Sequence, residues 1–173
     1  MPPSSGARRI ALTGLLFALM LVLSVVENSI PLPMPVPGVR LGLANIVVMY
    51  SLFFMNRSTA VQLAILKAGF AFLTRGAVAA FLSLCGGLLS VLVMVLLFAL
   101  WKEKLSVFMA SVAGAVFHNV GQLLGASAVY TNLFLWAYLP VLLVAGIAAG
   151  AATSTLLRVT LPALKRLDLS NKL

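Results

Sequence analysis

Six apolar runs, joined by short polar links, take up most of this chain and restrict its fold more than any other feature. A helix needs about 20 apolar residues to cross the hydrocarbon core of a bilayer, and its backbone polar groups must be satisfied within the segment. The runs lack the alternation of polar and apolar residues found in the strands of transmembrane barrels. The sequence therefore predicts six membrane-spanning helices, at about 10–26, 41–55, 59–74, 77–100, 105–130 and 133–158.

The composition supports an integral membrane protein. Hydrophobic residues make up 62% of the chain and charged residues only 9%, whereas about a quarter of the residues in a soluble domain are charged. Most links are only a few residues long, which places successive helices antiparallel in one bundle. We predict a membrane domain at 8–166, preceded by a disordered N-terminus at 1–7 and followed by a polar tail at 167–173.

The distribution of basic residues predicts the orientation of this bundle. Of the 12 Lys and Arg residues, nine fall on the side that holds both termini, while Arg40 and Arg75 fall on the other and Lys67 lies within an apolar run. Positively charged residues are enriched in cytoplasmic segments, so both termini are predicted to be cytoplasmic. The basic residues form no continuous stripe, and nucleic-acid binding is therefore not predicted.

Polar side chains inside the apolar runs indicate a binding site. Lys67 would cost about 2.5–3.5 kcal/mol at the centre of a membrane helix, and such residues usually face a bundle interior or a cavity; the alternative is that it extends to an interface. His118 and Gln122 are four residues apart and share a helix face with the neighbouring Asn119. We predict the following substrate-binding residues: Glu27, Asn28, Arg40, Asn45, Lys67, Arg75, His118, Asn119 and Gln122.

Simpler roles remain open for several of these residues. Glu27, Asn28 and Arg75 could be exposed at the membrane interface, and Asn45 could form a hydrogen bond between helices. If they do line one cavity, Arg40, Lys67 and Arg75 are offset only by Glu27. Such a cavity would favour an anionic or flat polar ligand.

The residues needed for several kinds of catalysis are missing from the sequence. There is no GxxxxGK[ST] phosphate-binding loop, and the only aspartate, Asp168, lies in the polar tail, so no aspartate cluster could hold Mg²⁺ on a diphosphate. Cys85 is the only cysteine, which excludes an internal disulfide. We predict a binding protein rather than an enzyme, without a metal or cofactor.

Two further features concern the extracellular loop and the lateral surface of the bundle. The proline-rich stretch "PLPMPVPGVR" at 31–40 is stiff, because proline fixes its backbone angle. It could cover a ligand or simply connect two helices. Gly14 and Ala18 are small residues at a spacing of four, a pattern that lets another membrane helix approach closely; similar pairs elsewhere would pack the bundle.

The segments "ARRIALTGLLFALMLVLSVVENSIP" and "PGVRLGLANIVVMYSLFF" are similar to the bacterial Gx transporter family, which is also labelled heptaprenyl diphosphate synthase component I. The resemblance covers about residues 7–166. Six helices, cytoplasmic termini and a structured outer loop also resemble the S components of energy-coupling factor (ECF) transporters. Those proteins bind a vitamin-like substrate and depend on partner ATPases.

The resemblance implies an ECF S-component fold in a bacterial cytoplasmic membrane, a transmembrane coupling subunit and ATPases as partners, and a coupling contact at Gly14 and Ala18. The synthase label conflicts with the lack of aspartate-rich motifs. Two alternatives remain open: a membrane accessory subunit of polyprenyl diphosphate or quinone synthesis, and a self-contained carrier that uses Lys67, His118 or Glu27.

Overall fold

A computed structural model describes residues 5–29, 43–101, 105–131 and 133–166. All the regular elements in these ranges are helical. They are α1 (Ser5–Ser29), α2 (Asn45–Phe54), α3 (Arg57–Arg75), α4 (Ala77–Trp101), α5 (Val107–Tyr130), a short 3₁₀ helix (Leu133–Tyr138) and α6 (Leu139–Arg166).

Local signals in the sequence set the helix boundaries. Asn56 caps α3, its Oδ1 accepting a hydrogen bond from the Thr59 amide at 2.7 Å, and the Ser106 hydroxyl caps α5 by accepting from the Met109 amide at 3.1 Å. Both residue types are preferred at this position. Gly76 separates α3 from α4 with a φ of +89°, which glycine adopts at little cost. These tight links turn successive helices antiparallel.

The helices pack in two groups that share α4. One buried cluster joins α1, α2, α3 and α4 and includes Met20, Val48 and Leu63; the other joins α4, α5, the 3₁₀ helix and α6 and includes Leu82 and Leu142. The opposite faces carry many large exposed apolar side chains. An apolar surface of this extent is unusual for a soluble monomer and suits contact with lipid.

Within the described ranges, four helical stretches are long and apolar enough to cross a membrane: Arg9–Glu27, Ala77–Trp101, Val107–Tyr130 and Phe134–Val159. The prediction of an all-α membrane protein is confirmed at this level. The predicted second and third spans, which correspond to α2 and α3, are not among these four stretches. At 10 residues, α2 covers about 15 Å at 1.5 Å per residue, and α3 is more polar because it carries Lys67 between two terminal arginines.

Other boundaries also differ from the sequence predictions. Helix α1 begins at Ser5, so its first turn extends into the stretch predicted to be disordered; both prolines of that stretch, Pro2 and Pro3, precede the helix. Helix α6 continues to Arg166, beyond the predicted end of the last span and up to the predicted end of the membrane domain. The proline-rich stretch at 31–40 and the tail at 167–173 lie outside the described residues.

Candidate functional site

Lys67 lies in the middle of α3 and faces the interior of the bundle. Its side chain is 6% exposed, and its Nζ lies 3.5 Å from Nε2 of His118 on α5. The lysine therefore does not extend to an interface. The contact places Lys67 and His118 at the same depth in two different helices.

Gln122 completes the polar contact on α5. Its Nε2 lies 3.1 Å from Nε2 of His118, and the two residues are one helical turn apart, as their spacing of four predicts. Both side chains are almost fully buried, at 1% exposure for His118 and 2% for Gln122. We call Lys67, His118 and Gln122 the polar triad.

A close helix crossing positions the triad. A Cβ atom added to Gly121 would lie 2.7 Å from the carbonyl oxygen of Cys85 and 2.8 Å from Cα of Gly86. A Cβ atom added to Gly86 would lie 2.7 Å from the carbonyl oxygen of His118 and 2.9 Å from its ring atom Cε1. The two glycines therefore let α4 and α5 touch backbone to backbone, and the imidazole lies directly against α4.

The chemistry of the imidazole follows from its neighbours. Nε2 is approached by two nitrogens, the Lys67 amine and the Gln122 amide, so it serves as the hydrogen-bond acceptor. A neutral ring with its lone pair on Nε2 carries its proton on Nδ1. That atom is buried and has no hydrogen-bond partner among the described residues.

Two charged residues near the ends of their helices influence the triad. Glu27, in the last turn of α1, is only 3% exposed, and Arg75 ends α3 in a half-buried position. Both act electrostatically on Lys67: the Glu27 carboxylate favours its positive charge and Arg75 opposes it. Glu27 is therefore an interior residue rather than an exposed one at the interface, and its charge lies close enough to act on the triad.

The predicted residues Asn45 and Asn119 are buried in other contacts. The Asn45 amide donates to the Ser90 hydroxyl at 3.2 Å, and that hydroxyl donates to the carbonyl oxygen of Gly114 at 2.8 Å, which links α2, α4 and α5. The Asn119 amide donates to the carbonyl oxygen of Leu142 at 2.8 Å, which links α5 to α6. The three polar residues predicted to share one face of α5 therefore separate. His118 and Gln122 contact each other, whereas Asn119 bonds to α6.

Sequence reasoning missed Ser90, which is one of two serines, with Ser83, in the otherwise apolar run of α4. Gly121 was expected to pack the bundle as one of the small residues at a spacing of four, but its partner Gly86 on α4 was missed. The position of Arg40 and the side chain of Asn28 lie outside what the structure describes. The ligand-binding roles of the nine predicted substrate-binding residues stay predictions.

Among the described residues, no group of three or more His, Cys, Asp or Glu side chains could hold a metal ion. Cys85 is a free thiol that is partly buried on α4. It lies opposite Gly125, where an added Cβ would be 3.3 Å from Sγ. This is the environment of a packing residue.

Gly14 and Ala18 lie on an exposed face of α1. A Cβ atom added to Gly14 would meet nothing within 4 Å, whereas Gly121 and Gly146 are in tight contact with neighbouring helices. Gly14 also lines a groove of about 450 Å³ between α1 and the start of α3. We call this the α1–α3 groove; it is lined by Arg9, Ile10, Thr13, Gly14, Phe17, Asn56, Ser58, Thr59, Gln62 and Leu66.

These features define a multi-helix membrane protein with a buried cluster of polar and charged side chains. The family model described as heptaprenyl diphosphate synthase component I matches residues 16–160. The chain belongs to this family, as one of the labels of the sequence resemblance predicted. No curated protein and no solved structure gives a match.

Proposed function

We propose that this protein is a membrane substrate-binding subunit of the S-component type. It would span a bacterial cytoplasmic membrane six times with both termini inside, and bind a small anionic or flat polar nutrient in the bundle. A transmembrane coupling subunit with ATPases would then drive uptake. In this proposal the protein has no catalytic activity of its own.

The burial of Lys67 carries the proposal. A charged amine inside a membrane bundle is costly, and such residues usually mark a substrate or ion pathway. Lys67 contacts His118, which in turn contacts Gln122, and the amine and the amide can donate hydrogen bonds to a polar ligand once they release the imidazole. The positive charge and the amide together suit an oxyanion or a planar polar group.

Helix α3 also supports a role beyond that of a simple membrane span. It is the most polar of the long helices, yet its inward face is small, with Ala60, Ala64, Ala68 and Ala71 all buried. Small side chains on this face let neighbouring helices approach α3 closely around Lys67.

A second candidate function has its own observation. The family description names a prenyl diphosphate synthase component, and the α1–α3 groove combines the basic Arg9 with apolar Phe17 and Leu66. A groove that combines a basic group with apolar walls suits a lipid with a charged headgroup. On this alternative the protein is an accessory subunit that holds a polyprenyl diphosphate at Arg9 rather than a nutrient at Lys67.

Native mass spectrometry in mild detergent distinguishes the two functions. We expect the wild-type protein to carry a co-purified small polar ligand, and Lys67→Met to weaken its binding by at least about tenfold, or about 1.4 kcal/mol. Arg9→Met is the matched control, since it removes a basic residue of the groove and leaves the triad intact. The ligand should remain bound to Arg9→Met.

The opposite pattern would favour the accessory-subunit function: a lipid diphosphate lost from Arg9→Met and kept by Lys67→Met. Thermal unfolding without ligand provides a second check. Lys67→Met should leave the stability of the ligand-free protein unchanged. A large loss of stability would show that Lys67 belongs to a structural ion pair with Glu27.

The partner is tested through the exposed face of α1. Leucine at both Gly14 and Ala18 should abolish co-purification of a co-expressed ECF coupling subunit while ligand binding survives. Gly69→Leu is the control, because Gly69 is also exposed and an added Cβ there meets nothing within 4 Å. Loss of ligand binding in the double variant would mean that the pair packs the bundle instead.

A further inference from the structure

The α1–α3 groove has a polar end and an apolar end. Arg9, the first residue of the apolar stretch of α1, lines the polar end together with the first turn of α3. Phe17 lies eight residues after Arg9, and Leu66 lies seven after Thr59. At 1.5 Å per residue, these two apolar side chains are about 12 Å and about 10 Å further along their helices. The groove thus changes from polar to apolar with depth, as a lipid does from its headgroup to its acyl chain.

Thr59 is a buried polar side chain at the polar end. It is only 3% exposed, and its hydroxyl has no hydrogen-bond partner among the described residues. Threonine hydroxyls within helices can bond the carbonyl oxygen four residues earlier, as those of Thr13 and Thr74 do. Thr59 lies in the first turn of α3, and Met55, four residues earlier, precedes the helix. Because Thr59 lines the groove, its free hydroxyl is available to a molecule bound there.

Backbone donors lie next to this hydroxyl. The first amides of a helix have no partner within the helix. In α3, Asn56 accepts hydrogen bonds from the amides of Thr59 and Ala60, through its side chain and its carbonyl oxygen. The amides of Arg57 and Ser58 have no acceptor among the described residues. A helix end of this kind favours a phosphate or another anion.

The charge at this end is small and positive. Arg9 is the one charged residue that lines the groove, and its guanidinium forms no ion pair with a described residue. The start of α3 adds about half an elementary charge. Together they balance a phosphodiester, which carries one negative charge. A diphosphate carries more and is usually bound through Mg²⁺, whereas no group of three His, Cys, Asp or Glu side chains in the described ranges could hold a metal ion.

We propose that the α1–α3 groove binds an anionic phospholipid. Its phosphodiester accepts hydrogen bonds from Arg9 and Thr59, and the upper part of one acyl chain lies against Phe17 and Leu66. The volume of about 450 Å³ falls in the range of about 300–1,000 Å³ found for ligand pockets. This site is separate from the polar triad, so it does not depend on the proposed nutrient. Its occupant also differs from the polyprenyl diphosphate of the accessory-subunit function.

Native mass spectrometry of the delipidated protein in mild detergent tests the site. Two lipids with identical acyl chains are compared, the anionic phosphatidylglycerol and the zwitterionic phosphatidylcholine. We expect the wild-type protein to bind one phosphatidylglycerol at least about fivefold more tightly than phosphatidylcholine. Arg9→Met should abolish this preference, and Arg9→Lys, which keeps the charge, should retain most of it. Thr59→Val should weaken the binding of phosphatidylglycerol by about threefold or more.

Two matched controls separate the groove from general attraction to the membrane surface. Arg57→Met removes the same charge from the same turn of α3, but Arg57 lines a different groove, between α3 and α4. Thr74→Val removes a threonine hydroxyl at the other end of α3. Both variants should bind phosphatidylglycerol as the wild-type protein does. Thermal unfolding without lipid should be the same for Thr59→Val and the wild-type protein, because the cap of α3 is Asn56.

Several results would overturn the inference. Equal losses in Arg9→Met and Arg57→Met would show diffuse attraction of anionic lipid, and unchanged binding in Thr59→Val would place the headgroup outside the groove. Displacement of phosphatidylglycerol by an equal concentration of inorganic phosphate would show a site for free phosphate. Tighter binding of farnesyl diphosphate than of phosphatidylglycerol, lost in Arg9→Met, would assign the groove to the accessory-subunit function instead.

Discussion

The variant Gly121→Ala tests whether the close crossing of α4 and α5 holds the polar triad together. The added methyl carbon would lie 2.7 Å from the Cys85 carbonyl oxygen and 2.8 Å from Cα of Gly86. Both neighbours are backbone atoms of a regular helix and cannot move aside individually. Ordinary contacts of a Cβ begin at 3.4 Å, so the two helices must separate by about 0.7 Å at this point.

This separation has a cost that can be estimated. Overpacking a close-packed interior usually costs about 1–3 kcal/mol, and a gap of about 0.5–1 Å forfeits a quarter to a half of the dispersion energy of each separated atom pair. Alanine also gains up to about 1 kcal/mol over glycine in a helix. Gly69→Ala is the matched control for that gain, because an added Cβ at Gly69 meets nothing within 4 Å.

We expect Gly121→Ala to be less stable than Gly69→Ala by about 1–3 kcal/mol, since the helix-propensity gain is common to both variants. The free energy of unfolding can be measured by SDS titration in mixed micelles, with the fluorescence of Trp101 and Trp136 as the signal. The ¹⁵N signals of His118 provide a second readout, because its ring lies against Gly86. They should change in Gly121→Ala and not in Gly69→Ala.

Equal stability of the two variants would refute the reasoning, since it would mean that α4 and α5 are not in backbone contact at Gly121. Lower stability with unchanged His118 signals would refute its second part. The crossing would then support the fold without positioning the triad.

Two further predictions concern hydrogen bonding and topology. Ser90→Ala removes the hydroxyl that links Asn45 to the Gly114 carbonyl and should destabilise the protein by about 0.6–1.7 kcal/mol in the same SDS titration. The control Ser83→Ala removes a buried hydroxyl on the same helix that has no hydrogen-bond partner among the described residues, and it should change stability by less than about 0.5 kcal/mol. Equal effects of the two variants would show that the Ser90 hydrogen bonds contribute nothing to stability. In a background without Cys85, a cysteine at position 36 should react with an impermeant thiol reagent added outside the cell and one at position 103 should not, whereas the reverse result would overturn the predicted orientation.

The sequence alone determined the class of this protein and the main residues of its interior. Long apolar runs force helices, because lipid offers no partners for backbone polar groups. The cost of a charge in such a run marked Lys67 for the interior of the bundle, and helical spacing placed His118 and Gln122 on one face. These inferences depend on composition and period, which are properties of single segments.

The tertiary structure decided which of the polar residues meet. Asn119 looked equivalent to Gln122 in the sequence, but its amide bonds the Leu142 carbonyl on another helix. For Asn45 the sequence left a ligand-binding role and an interhelical hydrogen bond open, and the structure shows the bond to Ser90. Glu27, equally consistent with an exposed interface position, is buried and acts on Lys67.

The distance between α4 and α5 was also invisible in the sequence, because it depends on Gly86 and Gly121 facing each other across two chain segments. Spacing within one helix cannot reveal how that helix is rotated against its neighbour. The physical reason is that side-chain contacts between helices depend on rotation and depth, which are set by packing over the whole interface.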